Sequence, residues 1–242
     1  MNNRYIIVFI FLLTSVVALS LTMLRQVTEP LAKKNEELFT KKAILSAVAD
    51  HLPEGKDLDV MPADTLLSFF DQQVQAVVVD ASGQVVREEG GDKIQVAKVW
   101  KAPAGQRKMP VFIYENAGKN YYIFPLRGKG LWDEIWGYIA LDSDLNTVVG
   151  VSFDHKAETP GLGAEIKDNP KFAKQFVGKK VFDEQGQFVS ISLKKGGALP
   201  DDPHAVDGIT GATLTANGVS AMLSNGLGWY LPYLKSVKKN QG

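Results

Sequence analysis

The chain has 242 residues, 45% hydrophobic and 22% charged, enough for one sizeable globular domain and an appendage. Lys+Arg and Asp+Glu both number 27, so the basic excess of a nucleic-acid binder is missing. With no cysteine, the chain itself forms no thiolate zinc site, iron–sulphur cluster, disulfide or cysteine nucleophile, and His51, His155 and His204 lie too far apart to suggest a metal site.

Tyr5 to Leu24 is an unbroken apolar run without charge or proline, bracketed by Arg4 and Arg25. Spanning the hydrocarbon core of a bilayer takes about 20 such residues, so the run predicts one transmembrane helix. Ala18-Leu19-Ser20 loosely resembles a signal-peptide cleavage site, but the apolar run continues past it, which favours an uncleaved anchor. Counting Arg25, Lys33, Lys34, Lys41 and Lys42 against Arg4 puts the C-terminal side in the cytoplasm. Large domains translocate largely regardless of such charges, so the count does not decide sidedness.

Pro30 to Ala49 reads as a helix, with Leu31, Leu38 and Leu45 at heptad spacing. The expected organisation is a tail and span over 1–24, a helical stalk over 25–50 and a globular domain over 51–242. His51 to Pro62 reads as a loop. Three hairpins follow: Val74–Asp80 with Gln84–Glu88, Val111–Glu115 with Tyr121–Leu126, and Ile135–Leu141 with Thr147–Phe153. A short helix is expected over Asn169–Phe176 and a strand over Phe188–Leu193. From Leu214 onward an apolar stripe through Val219, Leu227, Tyr230 and Leu234 predicts a terminal helix, broken or kinked at Asn225-Gly226 and Pro232. Antiparallel hairpins with helices segregated at the ends give an α+β class.

Three segments carry the chemistry. Asp207-Gly-Ile-Thr210-Gly211-Ala212-Thr213 is a small-residue loop feeding a helix, where backbone amides favour a phosphate or other anion. On its own, though, it reads first as a plain capped turn, since short Gly/Thr loops are common. Glu158-Thr159-Pro-Gly-Leu162-Gly163 is a turn whose glycines let backbone approach a flat ligand. Here Glu158 reads either as a functional carboxylate or as a solvated loop charge. Arg127-Gly-Lys-Gly-Leu-Trp132 carries an aromatic that either stacks on a ligand or fills the core. No G-x-G-x-x-G and no G-x-S-x-G occurs, which removes the dinucleotide fingerprint and the nucleophile elbow.

Asp-x-x-Thr-Gly-Ala-Thr at 207–213 resembles the flavinylation motif, and with the Glu-Thr-Pro-Gly-Leu-Gly and Gly-x-Gly-Leu-Trp stretches the chain is similar to the C-subunit family of the sodium-translocating NADH:quinone reductases. The G subunit of the Rnf electron-transport complex shares the span and two of these motifs, but Leu131 to Thr147 is closer to the sodium-pump family. The resemblance implies FMN esterified by a dedicated flavin transferase through its phosphate to Thr213, with Thr210, Gly211, Ala212 and Asp207 in the acceptor loop. It implies that Glu158, Thr159, Leu162, Gly163 and Trp132 lie at the flavin. It implies electron relay between partner subunits of an inner-membrane complex, with a single span and the domain outside the cytoplasm. No catalytic residue of its own is expected, since the chain carries no nicotinamide fingerprint. The competing reading, of a different class, is a membrane-tethered binding module without cofactor.

Overall fold

The structure is a computed structural model that describes residues 3–54 and 56–241. Residues 1 and 2 of the expected tail, Gly55 of the expected loop, and Gly242 lie outside them. The chain divides into two compact units, Met1–Thr40 and Lys41–Gly242.

The first unit belongs to α1 (Asn3–Ser46), which carries Pro30 within it. Its apolar stretch reaches a mean hydropathy of 2.6 over 18 residues with none of that window buried, long and apolar enough to cross a membrane. Thr14, Thr22 and Thr28 turn their hydroxyls back onto carbonyls four residues earlier, so these three hydroxyls are satisfied within the helix.

The second unit is built on a six-stranded antiparallel sheet of order β2-β1-β3-β4-β5-β6. Its strands are β1 (Val74–Asp80), β2 (Val85–Arg87), β3 (Lys108–Asn116), β4 (Lys119–Lys129), β5 (Glu134–Leu141) and β6 (Val148–His155). The three expected hairpins are all present, and β3 and β4 are longer than the apolar runs that announced them. The α+β class holds.

Both faces of the sheet are covered, as the two-residue side-chain period dictates. Val77, Val79, Val111, Phe124 and Leu126 point into a core closed by the C-terminal helix α6 (Thr213–Gln241). The intervening Ala76, Val78, Phe112, Tyr114 and Ile123 are also buried. On their side lies α2 (Ala63–Gln73), which no sequence pattern announced. It presents Leu66 and Phe70, four residues apart, and the Phe70 ring meets Phe112 edge-on at 6.2 Å. The end of α1 and the turn after it join this layer: Ile44, Leu45, Ala47 and Val48 are fully buried, and a Cβ at Gly150 of β6 would collide with the Ala47 carbonyl.

Shorter elements complete the unit: α3 (Val96–Val99), α4 (Glu165–Asp168), α5 (Pro170–Lys174), β7 (Ser192–Lys194) and β8 (Ala205–Asp207). Asn169 caps α5 by accepting the Lys171 amide at 3.0 Å, and Pro170 takes the first helical position. The expected strand over Phe188–Leu193 contracts to Ser192–Lys194, which pairs in parallel with β8. Ser190, at φ 62, bends the chain within that expected strand.

The expected break at Asn225-Gly226 and Pro232 does not occur, and α6 is one helix through all three. Gly226 is a point of close approach, where a Cβ would lie 2.6 Å from Leu126 Cδ2. Val219, Met222, Leu223, Leu227, Tyr230, Tyr233 and Leu234 are buried along α6. At about 1.5–3 kcal/mol per buried side chain this outweighs the roughly 3 kcal/mol cost of an internal proline.

Candidate functional site

Thr213 is the first residue of α6, and the loop before it sets its surroundings. Gly211 takes φ +77, a left-handed conformation that glycine adopts without strain. Ala212 is buried and donates its amide to the Ile209 carbonyl at 3.1 Å. The turn therefore tucks the small side chain inside and leaves Thr213 exposed at the helix start. The first-turn amides of a helix have no intrahelical partners, so the Thr213 hydroxyl stands beside free donors suited to an anion. Thr210 is exposed in the same turn. Asp207 lies at the end of β8, where its carboxylate accepts the Ala198 amide at 2.8 Å and its own amide donates to Gln175 Oε1 at 2.9 Å. With the Gly208 amide on the Lys194 carbonyl, this ties the 207–213 loop to the 194–198 turn.

The 158–163 segment crosses in front of this loop. Its turn is closed by the Leu162 and Ala164 amides, both donating to the Thr159 carbonyl at 3.1 Å, with Gly161 at φ +71. Leu162, 40% exposed, leans over Gly211 so closely that a Cβ there would lie 2.7 Å from Leu162 Cδ2. Thr159 is exposed and Gly163 is buried.

Glu158 joins all three segments. It is 4% exposed, so the solvated loop charge is not what the fold makes of it. Its Oε2 accepts the Thr215 hydroxyl of α6 at 2.5 Å, and its Oε1 accepts the Trp132 amide at 3.0 Å. Its own amide donates to His155 Nδ1 at 3.1 Å. Cβ atoms at Gly130 and Gly163 would each collide with the carboxylate, so both glycines are there for room.

Trp132 is 65% exposed and does not fill the core. It forms part of the wall of a groove of about 730 Å³, running along α6 past Gly218, Ala221, Met222 and Asn225 and bounded by Trp100, Lys101, Arg127 and Lys129. The hydrogen bond from the Arg127 guanidinium, at 2.7 Å, holds the Glu134 carboxyl in this wall below its ordinary pKa. No sequence pattern announced the groove. Trp100 and Lys101 fall in a stretch without periodicity, Gly218 carries no signal beyond helix, and Asn225 signals only a break.

The fold thus gathers the expected site residues at or beside the N-terminus of α6, apart from Trp132, which reaches it through the Glu158 bond, and Asp207, which braces the loop from behind. No cluster of three or more potential metal ligands occurs among the described residues.

Residues 130–228, which contain the 158–163 and 207–213 segments and the Gly130-Leu-Trp132 end of the first, match the family described as FMN-binding domain. The C subunit of Na(+)-translocating NADH-quinone reductase from Pseudomonas aeruginosa is 32% identical over 238 residues, covering 88% of this chain and 87% of that protein. Its counterpart from Yersinia pestis is 46% identical over 122 residues, which span half of this chain and 45% of the relative's length. Among solved structures, the C subunit of Na(+)-translocating NADH-quinone reductase from Parabacteroides distasonis superposes with a TM-score of 0.73 at 34% identity, over 84% of this chain and 95% of that one. NqrC of Shewanella oneidensis gives 0.70 at 26% identity, over 86% and 99%. With motifs, fold and near full-length similarity in agreement, this chain belongs to the NqrC family, the C subunits of the Na(+)-translocating NADH-quinone reductases.

Proposed function

We propose that this chain carries FMN esterified through its phosphate to Thr213 and relays electrons inside a Na(+)-translocating NADH:quinone reductase. The observation that carries the reading is the exposed hydroxyl of Thr213 at the start of a 29-residue helix, after a turn in which Gly211 and Ala212 keep bulk away. The residues fit the group. The phosphate end meets first-turn amides of α6. Leu162 and Trp132 offer exposed apolar faces nearby, and the groove beyond Trp132 is roomy enough for a flat ring.

When bound, the flavin supplies the electron-transfer chemistry. The chain holds it: Thr213 fixes one end covalently, while Thr159 and the backbone of the 159–163 turn offer polar contacts to the ring edge. A flavin transferase would transfer FMN from an activated flavin phosphate donor: the bond from the Thr213 oxygen to phosphorus would form as the bond from phosphorus to the donor's leaving group breaks, and that leaving group would depart with the hydroxyl proton. Neighbouring subunits of the complex supply and remove electrons. Residues 1–24 anchor the chain as a single span in the bacterial inner membrane, 25–50 form a stalk whose end, from Lys41, packs into the core of the flavin domain, and 51–242 form the rest of that domain on the extracytoplasmic side.

Intact mass of the chain from its native membrane tests this. A gain of about 440 Da, the size of an FMN phosphoester, mapped to the peptide holding Thr213 and lost in Thr213→Ala, is the expected result. An unshifted mass from a host that has the transferase would sink the covalent reading and favour the cofactor-free binding module.

A further inference from the structure

We infer that Glu158 is a positioning residue, a hydrogen-bonded latch that fixes the three flavin-facing segments relative to one another and so holds the ring of a Thr213-linked flavin in one orientation. The inference rests on the proposed covalent FMN and adds to it the element that makes the tethered group rigid.

Three observations carry it. First, Thr213 fixes only one end of the flavin. A ribityl chain leaves the ring free to swing unless the surfaces around it are themselves fixed. Second, those surfaces come from separate stretches of chain: the Trp132 turn after β4, the 158–163 turn after β6 and the first turn of α6. Glu158 bonds to both of the other stretches at once, through the Trp132 amide and the Thr215 hydroxyl. Third, the site is shaped around this carboxylate. Gly130 and Gly163 would both collide with it if they carried a Cβ, and Thr215 is fully buried against it.

The form of the contacts indicates that geometry matters more than charge. No ion pair to Glu158 is found among the described residues; its two partners on other segments are a backbone amide and a neutral hydroxyl. A buried carboxylate without a counter-cation is costly to keep, and the positive end of α6 offsets part of that cost. Glutamine has the same length. Its Oε1 accepts the Trp132 amide as before, and its amide nitrogen donates to Thr215 Oγ1, which is able to accept in place of donating. Glu158→Gln therefore keeps the latch, and Glu158→Ala and Thr215→Val open it.

The test uses the full-length chain from a host with its transferase. Flavin loading is read by intact mass, ring fixation by visible circular dichroism of the flavin bands, and the latch by hydrogen exchange of the Trp132 amide. The expected result is an unchanged mass gain in all variants. In Glu158→Ala and Thr215→Val the dichroism falls toward that of free FMN. Loss of a hydrogen bond to a charged group speeds Trp132 amide exchange roughly tenfold or more in Glu158→Ala. Glu158→Gln retains both signals. Wild-type dichroism in flavinylated Glu158→Ala overturns the inference, and so does a Glu158→Gln that behaves like Glu158→Ala. Should Glu158→Ala fail to fold, Thr215→Val decides alone, wild-type dichroism there overturning the latch. A wild-type chain without the mass gain overturns the flavin reading itself, and with it this inference, an outcome read from mass before any variant is compared.

Discussion

Ser190 combines two costs in one residue. It adopts φ 62, where a side chain is strained, and its buried hydroxyl finds no hydrogen-bond partner among the described residues. Glycine removes both costs while giving back part of the gain in unfolded-chain entropy. Ser190→Gly is expected to stabilise the domain by about 1 kcal/mol, or roughly 2–4 °C in Tm for a domain this size. A lower Tm on thermal unfolding would show that the hydroxyl is satisfied. Glu134 responds to pH instead. Its carboxyl is held below its ordinary pKa by Arg127, so the pair stabilises the fold above the unfolded carboxylate value and is lost as pH falls through the lower folded one. Unfolding free energies from urea titrations should therefore drop less between about pH 6 and pH 3 in Glu134→Gln than in the parent, by up to roughly 1 kcal/mol for a pair this exposed. An equal drop would remove the pair from the acid response. Glu158 shows where residue-level reading stops. Its letter reads the same whether the side chain is solvated or buried, and only contact with Thr215, 57 positions away, distinguishes the two.

Two helices show how packing overrides local signals. Proline and glycine in α6 read as breaks, yet the helix persists because one of its faces is buried along the sheet and Gly83 admits the backbone at Pro232 and Tyr233. The end of α1 shows the reverse: its heptad leucines announce one helix, but nothing in their spacing says where the helix joins a core. The structure places that change at Lys41, whose ammonium is buried over Phe70 and paired with Asp71 at 2.6 Å. A chain beginning at Lys41 is thus expected to fold as a soluble domain. One beginning at Ala49 loses Ile44, Leu45 and Val48 from the core, on the order of 5 kcal/mol at about 1.5–3 kcal/mol each. Urea unfolding of the two measures the difference, and equal midpoints would show that the last turns of α1 are dispensable.

For the molecule as a whole, the sequence by itself determined the apolar span, the antiparallel hairpins, the α+β class and the family, because each is written in short-range patterns: hydropathy over about 20 residues, alternation within a strand, turn residues between strands, and contiguous motifs. The candidate acceptor Thr213 was legible for the same reason. Only the tertiary structure decided that the 127–132, 158–163 and 207–215 segments meet at one helix start, that Glu158 is the buried group joining them, and that a groove opens beside Trp132 along α6. Those facts depend on the sheet order bringing β4 and β6 to either side of β5 and on α6 crossing the sheet. Burial, close glycine contacts and carboxylate bonding are properties of surfaces brought together by folding, and no local pattern of letters encodes which surfaces will meet.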